Sequence, residues 1–425
     1  MRFKNDRGIY MKIYHRLRTK LVVVFFIVTL IPALITGIYA IQVSSKSLRK
    51  NALATQTEQA KTLGHGITSF LSVVRGDLLF LSQSMPMKDY LSLRAAIALS
   101  QSEPQPETMP PALEKSALQT FHNILDKKQQ NLEQEFLALS RNRRIYYQIR
   151  YLDEMGKEVV RVDFDGLRTQ VISQEALQDK SDRYYFKKTS RLSGKQIFVS
   201  PLDLNREKGQ IEVPYKPVIR YAINVYDDNR KKAGIVILNI DANQFLKQLD
   251  KVRLVDNEGY FFNHPDPEKS WGGRSDLNTS YDLEKEYPQF ANKILGQQGI
   301  ISNRAFTLSY WRVSVPASPH FWTLIIQRDT REILKSVTDF RATFTFILIT
   351  AILIALLFAL FFSAKITRPI EYLTRIADAI SKGELLDNRV EVNDKGEIGQ
   401  LAHAFERMRV SMIKSFERLR RQSRN

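Results

Sequence analysis

The 425-residue chain contains no cysteine, which excludes a disulfide scaffold, a thiolate nucleophile, a thiolate zinc site and a Cys-ligated iron–sulfur cluster. Histidine is scarce. The six fall at positions 15, 65, 122, 264, 320 and 403, no two at metal-ligand spacing, which argues against a zinc site. No Gly-rich phosphate loop of either nucleotide-binding type is present. No histidine lies in a setting suited to a kinase phosphoacceptor, and His403, between Ala402 and Ala404, reads as a solvated or boundary residue of a helix. Charge, by contrast, is plentiful. Charged residues make up 25% beside 44% hydrophobic ones, a balance that excludes wholesale disorder. The formal net charge is +18; on a soluble chain that would point toward nucleic acid, so the distribution of the charges decides what it means.

Two stretches settle that question, because neither carries Asp, Glu, Lys, Arg or His. They run from Leu21 to Ser45 and from Ala342 to Ala364, 25 and 23 residues. As helices they measure roughly 38 and 35 Å, against a bilayer core of about 30 Å. Both are long enough to span, so the chain reads as an integral membrane protein. The first is too long, and lacks a clear small-x-small cleavage site, for a removed signal peptide, and is expected to be an uncleaved signal-anchor. Lys12, Arg16, Arg18 and Lys20 flank it, which predicts a cytoplasmic N-terminus. The second span, basic on both sides, takes its orientation from the first and returns the chain to the cytoplasm. The charge then divides into +6 over residues 1–20, +8 over the 296 residues 46–341 and +4 over residues 365–425. No dense basic run faces outward, so no nucleic-acid partner is expected. A membrane location with both termini cytoplasmic is therefore expected, residues 46–341 being extracytoplasmic.

Two modules suit a 296-residue segment. From Ser47 to about Leu93 there is almost no breaker, and Leu63, Ile67, Leu71 and Val74 recur at helical spacing, which predicts a long continuous helix. Pro104, Pro106, Pro110 and Pro111 separate it from a second helix over about Ala112 to Arg141. Strands follow: Ile145 to Tyr151 and Lys157 to Asp163 form a hairpin, then Gln196 to Ser200, Pro217 to Tyr226 and Ala233 to Ile240. A second set comprises Val252 to Val255, Tyr260 to Phe262, Arg304 to Ser314 and Trp322 to Arg328. Helices followed by two successive antiparallel sheets predict an α+β architecture. Asp227, Asp228 and Asn229 lack the ligand series of a calcium loop and read as a hairpin tip. His264-Pro265-Asp266 lacks a nucleophile partner and reads as a turn. Arg206, Glu207, Lys208 and Gly209 read as an exposed turn.

The runs Asp182-Arg183-Tyr184-Tyr185-Phe186, Val199 to Glu207, Pro217-Val218-Ile219-Arg220 and Gly234 to Ile240 resemble the membrane-distal half of a double Cache sensor domain. Leu254 to Tyr260, His264-Pro265-Asp266 and Trp271-Gly272-Gly273 resemble its membrane-proximal half. The resemblance covers about residues 46–335 and implies a long N-terminal helix carrying two PAS-like antiparallel sheets, a distal module over about 112–245 and a proximal one over about 250–330. It also implies a small molecule on the distal sheet, under loops that contribute an Arg-x-aromatic pair. Arg183 and Tyr185 fall at that pair, flanked by Tyr184. Asp203 and Asn239 fall near later polar positions, and Arg220 either faces the pocket or pairs with an acid. An Arg fork over aromatic walls suits a carboxylate. Leu202 and Asn239 depart from the amino-acid-binding subset, which has a Tyr and a carboxylate there. Under the alternative, Arg183 and Asp203 only pin loops.

After the second span, Ile370, Leu373, Ala377 and Ile380 step by three and four, and so do Ile398, Leu401, Phe405, Met408 and Met412. Two heptad seams joined by a connector with Gly383, Leu385, Val390 and Val392 predict a four-helix bundle from two chains. The segment 365–417, with Pro369 and Glu397-Ile398-Gly399, resembles a HAMP module, which implies a parallel coiled-coil homodimer that relays displacement of the second span. Residues 418–425 form a basic tail with Arg418, Arg420, Arg421 and Arg424.

The expected function is therefore a non-enzymatic signal-transduction receptor without cofactor or metal, sensing a small extracytoplasmic molecule and acting on a separate cytoplasmic protein. The chain ends soon after the second HAMP helix, so no output domain is expected within it. Two alternatives stay open: the sensor half of a split or truncated histidine kinase, cyclase or chemotaxis receptor, and a membrane-anchored binding protein without a signalling role.

Overall fold

A computed structural model describes residues 17–102, 111–207, 209–382, 390 and 396–422. The flank through Arg16, the prolines at 104, 106 and 110, Lys208, the connector positions Gly383, Leu385 and Val392, and Arg424 lie outside the described residues. Contacts divide the chain into two units, Ala52–Ile333 and the segments on either side of it.

The helix α1 (Leu17–Gln83) is followed by α2 (Met85–Ser102) and α3 (Pro111–Arg143). The expected continuous helix to Leu93 is thus broken at Ser84. Pro86 has no N–H to donate and cannot continue the ladder, and Ser84 caps the new start, its Oγ accepting from Met87 N at 3.4 Å while it donates to Glu135 at 2.5 Å.

Strands β1 (Tyr146–Leu152), β2 (Glu158–Phe164) and β3 (Thr169–Val171) precede the short helix α4 (Tyr184–Ser190). Then come β4 (Ile197–Val199), β5 (Asp203–Leu204), β6 (Arg206–Glu207), β7 (Gln210–Ile211), β8 (Pro217–Tyr226) and β9 (Lys232–Asp241). The distal sheet has the order β3-β2-β1-β9-β8-β4, with β5 also paired to β8. The segment expected as an exposed turn at 206–209 starts a separate small hairpin, β6 with β7.

Alternation along the three central strands separates two jobs. Ile149 and Tyr151 of β1, Ile219, Tyr221 and Ile223 of β8, and Val236, Leu238 and Ile240 of β9 are buried with Leu71, Val74, Leu78, Leu81, Leu132 and Phe136 of α1 and α3. The intervening positions point to the opposite face, as successive strand residues must. Part of that face is apolar, where Leu152, Ala222, Ile235 and Ile237 pack with Tyr185 and Phe186 of α4. The rest is polar: Gln148 lies opposite Asn239, which lies opposite Arg220, and Arg150 lies opposite Arg161.

After α5 (Asn243–Leu246), the proximal sheet is built from β10 (Val252–Val255), β11 (Phe261–Asn263), β12 (Gly299–Ser302), β13 (Phe306–Ser314) and β14 (Phe321–Asp329), in the order β11-β10-β14-β13-β12. Helices α6 (Leu283–Glu286) and α7 (Ala291–Gly296) cover one face. They do so around Val255, Phe261, Leu283, Ile294 and Tyr310. The other face joins the same core as the distal sheet, through Leu254, Val313, Trp322 and Leu324. There α1 passes close: a Cβ on Gly64 would stand 2.6 Å from Trp311 Cδ1, and buried Gln56 donates to the Thr307 and Ile326 carbonyls at 3.1 Å each. His264 is buried, its Nε2 2.9 Å from Glu286, which also holds Arg253 at 2.7 Å. This triad pins α6 to the sheet, in keeping with a structural turn.

The other unit contains two helices long and apolar enough to cross a membrane. α8 (Thr330–Ile333) closes the sensor unit and α9 (Lys335–Ser381) follows. Within the membrane-type segments the Leu348 side chain packs onto Gly37, where a Cβ would stand 2.8 Å from Leu348 Cδ2, a packing that small residues allow at helix crossings in lipid. No new helix begins at Ile366: α9 runs through Pro369 without interruption. α10 (Glu397–Gln422) packs on its C-terminal part, where Leu373, Ile376, Ile380, Val390 and Ala402 are buried together. Ile376 is buried in this cluster, and Ala377 is half-buried. Gly399 is buried, while Leu401 and Met408 remain about half exposed.

One polar contact fastens the helices to the distal sheet. Asp77 of α1 accepts from Arg143 Nε at 2.9 Å and Nη2 at 2.7 Å, and from the Tyr146 hydroxyl at 2.5 Å. Asp77→Ala leaves the buried Tyr146 hydroxyl without its acceptor and should lower unfolding stability by about 2 kcal/mol. Arg143→Ala should cost less, because its side chain is 44% exposed and water replaces the lost partner. Urea unfolding of the two variants checks the order.

Candidate functional site: a cationic cavity on the distal sheet

The polar part of the outer sheet face opens into a cavity of about 360 Å³. Its walls hold six cationic side chains, Arg150, Arg161, Lys180, Arg183, Arg206 and Arg220. The strands supply three of them. Arg150 of β1 is 3.1 Å from Glu158 of β2, both side chains nearly inaccessible. It also donates to Tyr185 Oη at 3.3 Å and to Asn239 Oδ1 at 3.2 Å. Arg161 holds Asp163 at 2.6 Å and lies 3.7 Å from Glu158. Arg220 of β8 pairs with Asp203 of β5 at 2.7 Å and donates to Asn205 at 3.1 Å. Buried charges persist only with such partners, because desolvating an unpaired ion costs several kcal/mol.

Loops supply the other three. The segment before α4 is pinned to the β1–β2 hairpin, with Gln178 N donating to Glu158 Oε2 at 3.0 Å and Lys180 N to the Gly156 carbonyl at 2.8 Å. That pinning places Lys180 and Arg183 over the sheet. Arg206, from the β6–β7 hairpin, donates to the Gly209 carbonyl at 3.2 Å and to the Ser275 carbonyl, in the proximal module, at 2.8 Å.

Tyr185 forms the aromatic wall, with the Arg150, Arg183 and Arg220 guanidiniums 5.4, 6.0 and 6.0 Å from its ring centre. Burial alone would raise the phenol's pKa, but Arg150, Lys180, Arg183 and Arg220 together bring it below its ordinary value. Burial, with Arg150 and Arg183 adding to it, lowers the Lys180 ammonium despite Tyr185 and Glu158 nearby. The Tyr185 shift, which runs against burial, reports a positive potential in the cavity.

Of the residues singled out from sequence, Arg183, Tyr185, Arg220 and Asn239 line the cavity. Tyr184 and Asp203 stand behind Arg220: Tyr184 Oη is 3.4 Å from Arg220 Nη1 and 3.5 Å from Asp203 Oδ2. Arg220 therefore does both things the sequence left open, facing the cavity and pairing with an acid. Asn239 accepts from Arg150 and donates to Gln148 Oε1 at 3.1 Å. Sequence reasoning missed Arg150, Arg161, Lys180 and Arg206. A usable signal existed for the first two, since a charged residue inside an otherwise apolar strand needs a buried partner or a site. Pro369 lies inside α9, and Glu397, Ile398 and Gly399 begin α10.

Residues 114–325 match the family described as the bacterial histidine kinase sensor domain, and residues 361–414 match the HAMP domain. The chain thus carries a segment matching a bacterial sensor domain followed by a segment matching a HAMP domain. Both matched modules are signalling modules rather than catalytic ones. Among solved structures, a domain of a protein named for the sensory box/GGDEF family of Vibrio parahaemolyticus is 22% identical, with a TM-score of 0.54 over 67% of this chain and 99% of that one. The extracellular domain of vpHK1S-Z8, named as a histidine kinase, is 21% identical, with a TM-score of 0.54 over 69% of this chain and 96% of that one. At these identities the likeness establishes the fold. The comparison with curated proteins gives no match.

The two modules of the sensor unit meet beside the cavity. Asp276 of the proximal module accepts from Leu204 N of β5 at 2.9 Å. Burial pushes its carboxyl up to about 6, with Asp203 and Asp256 adding to the rise and Leu204 N–H and Arg206 opposing it. The fold thus binds this proton more tightly than the unfolded chain, whose Asp titrates near ~3.9. The group favours folding at low pH, and that contribution is lost as pH rises through about 6. Asp276→Asn keeps the acceptor for Leu204 N–H and removes the titration. Thermal melts should therefore show the variant gaining on the wild type between about pH 4.5 and 7; a pH-independent difference would exclude the titration.

Proposed function

We propose that this chain is a bacterial inner-membrane receptor, with both termini cytoplasmic, whose distal cavity binds a small carboxylate outside and whose HAMP helices relay occupancy to a separate cytoplasmic protein. The receptor itself is not an enzyme. The observation that carries the reading is the convergence of six cations and a lowered-pKa tyrosine on one cavity, at the sheet position where Arg183 and Tyr185 meet strand residues Arg220 and Asn239. Arginine forks are suited to paired acceptance by a carboxylate.

The route outward from the cavity is short. β5 carries Asp203, the partner of the cavity residue Arg220, the β6–β7 hairpin carries Arg206 into the cavity, and the two touch Asp276 and Ser275 of the proximal module. A ligand that draws on Arg206 changes that contact, and β14 of the proximal sheet leads in sequence through α8 to α9. Ligand binding then acts as a population shift, biasing two packings of the helices by about 1–3 kcal/mol. The exposed Leu401 and Met408 on α10 support a parallel homodimer, in which a second copy covers the seam. The match to a histidine kinase sensor supports a second reading, that the same two modules serve a kinase.

Thermal-shift measurements on the detergent-solubilised chain should show stabilisation by small carboxylates. That stabilisation should be lost on Arg183→Ala; if it survives, Arg183 leaves the site. Because the chain has no native cysteine, Met408→Cys provides a single reporter. In membranes it should cross-link between copies at a rate that changes with ligand and no longer changes when Arg183→Ala is added. An additional Asp339→Pro, Phe340→Pro pair, which breaks α9, should abolish the ligand response while leaving binding intact.

A further inference from the structure

Resting on the reading of this cavity as the ligand site, we propose that its ligand is a small polycarboxylate, carrying two or three carboxylates and no ammonium group. Three of the six cations in the cavity are held in salt bridges and three are not. Arg150 and Arg161 are answered by Glu158 and Asp163, and Arg220 by Asp203. Lys180, Arg183 and Arg206 have no carboxylate within salt-bridge distance among the described residues, although Glu158 lies near Lys180, and Asp203 and Asp276 lie near Arg206. Their recorded polar contacts are neutral: Lys180 Nζ donates to Gln178 Oε1, and Arg206 to two backbone carbonyls.

Two buried donors make an independent demand. The Nε–H groups of Arg150 and Arg183 are shielded from solvent without a hydrogen-bond acceptor, and buried donors are seldom left that way. One sits on β1 and the other in the loop before α4, both lining the cavity. The free cations likewise come from two separate segments, the 180–183 loop and the β6–β7 hairpin. Acceptor oxygens are therefore needed at more than one place, which suits an extended polycarboxylate better than a compact tetrahedral anion. A cavity of about 360 Å³ accommodates an acid of about four to six carbons with accompanying water.

An ammonium group finds no matching site. Glu158 and Asp203 are held by Arg150, Arg161 and Arg220. Asp179, the acid in the lining, is exposed at the rim and accepts from Ser181 N at 2.8 Å. Asn239 is neutral, its carbonyl already taken by Arg150. An α-amine would stand among unpaired cations of its own sign.

Succinate, aspartate and butyrate, matched on one four-carbon skeleton, test this beside three further compounds. Succinate and tricarballylate are titrated against aspartate, butyrate, leucine and inorganic phosphate by calorimetry on the full-length protein in nanodiscs. Succinate or tricarballylate should bind at least about tenfold more tightly than aspartate and butyrate, and more weakly as salt is raised. Lys180→Met and Arg206→Ala should each weaken that binding by about tenfold, with unliganded melting temperatures near wild type showing that the variants fold. Aspartate or leucine binding as tightly as succinate, lost on Arg183→Ala, would overturn the polycarboxylate and leave the cavity as the site. Phosphate as the preferred ligand would do the same. Arg183-independent binding, or no binding by any of these compounds, would overturn both.

Discussion

The two-residue alternation of β1, β9 and β8 is the constraint on which the sensor depends. It sends Ile149, Tyr151, Ile219, Tyr221, Val236 and Leu238 into the helix-covered core and Gln148, Arg150, Arg220 and Asn239 into the cavity. A slip of one residue would exchange the two sets, placing arginines against α1 and α3. The apolar set is large enough to make that exchange prohibitive, so the same burial that holds the sheet together also aims the cations. The paired acids then make the cationic face tolerable. Glu158, with no exposed side-chain surface, holds two arginines at once.

The loops that complete the cavity depend on this frame. Glu158 serves the strand arginines and also receives Gln178 N–H, so the acid that neutralises the sheet also anchors the segment bearing Lys180 and Arg183. Arg206 differs from the other five cations, because it faces the cavity yet holds a carbonyl of the proximal module. Together with the Leu204–Asp276 contact, this makes the 203–206 segment the place where events in the cavity can be felt by the second sheet. A contact made of hydrogen bonds to an elevated-pKa carboxylate and an exposed guanidinium is weaker than core packing. It can therefore rearrange while both hydrophobic cores stay intact.

Much of the architecture was legible because its signals are local. The strand runs over 217–226 and 252–255 appear at their expected bounds, since period-two patterns bounded by turn residues depend little on distant partners. The break at Ser84 carries little local signal, because Pro86 sits at a helix start, where proline is permitted. Ile376 joins Leu373 and Ile380 in the cluster within the chain, because a heptad count sets spacing, whereas helix rotation depends on which faces meet. Arg183 and Tyr185 were found through a resemblance in their motif. Arg150 and Arg206 were not, because they are respectively 33 residues before and 23 after Arg183 in the chain, and only sheet pairing and a hairpin bring them to it.

The sequence by itself determined the membrane spans, the α+β class, the order of helices and strands, and the heptad segment. Each follows from the free energy of transferring a short, contiguous pattern of side chains out of water. Tertiary structure decided which charges neutralise one another and which remain unanswered. Ion pairing acts over a few ångströms in space regardless of separation along the chain. Thus Arg150 with Glu158, Arg220 with Asp203, and the unmatched Lys180, Arg183 and Arg206 emerge only once the distal sheet has folded.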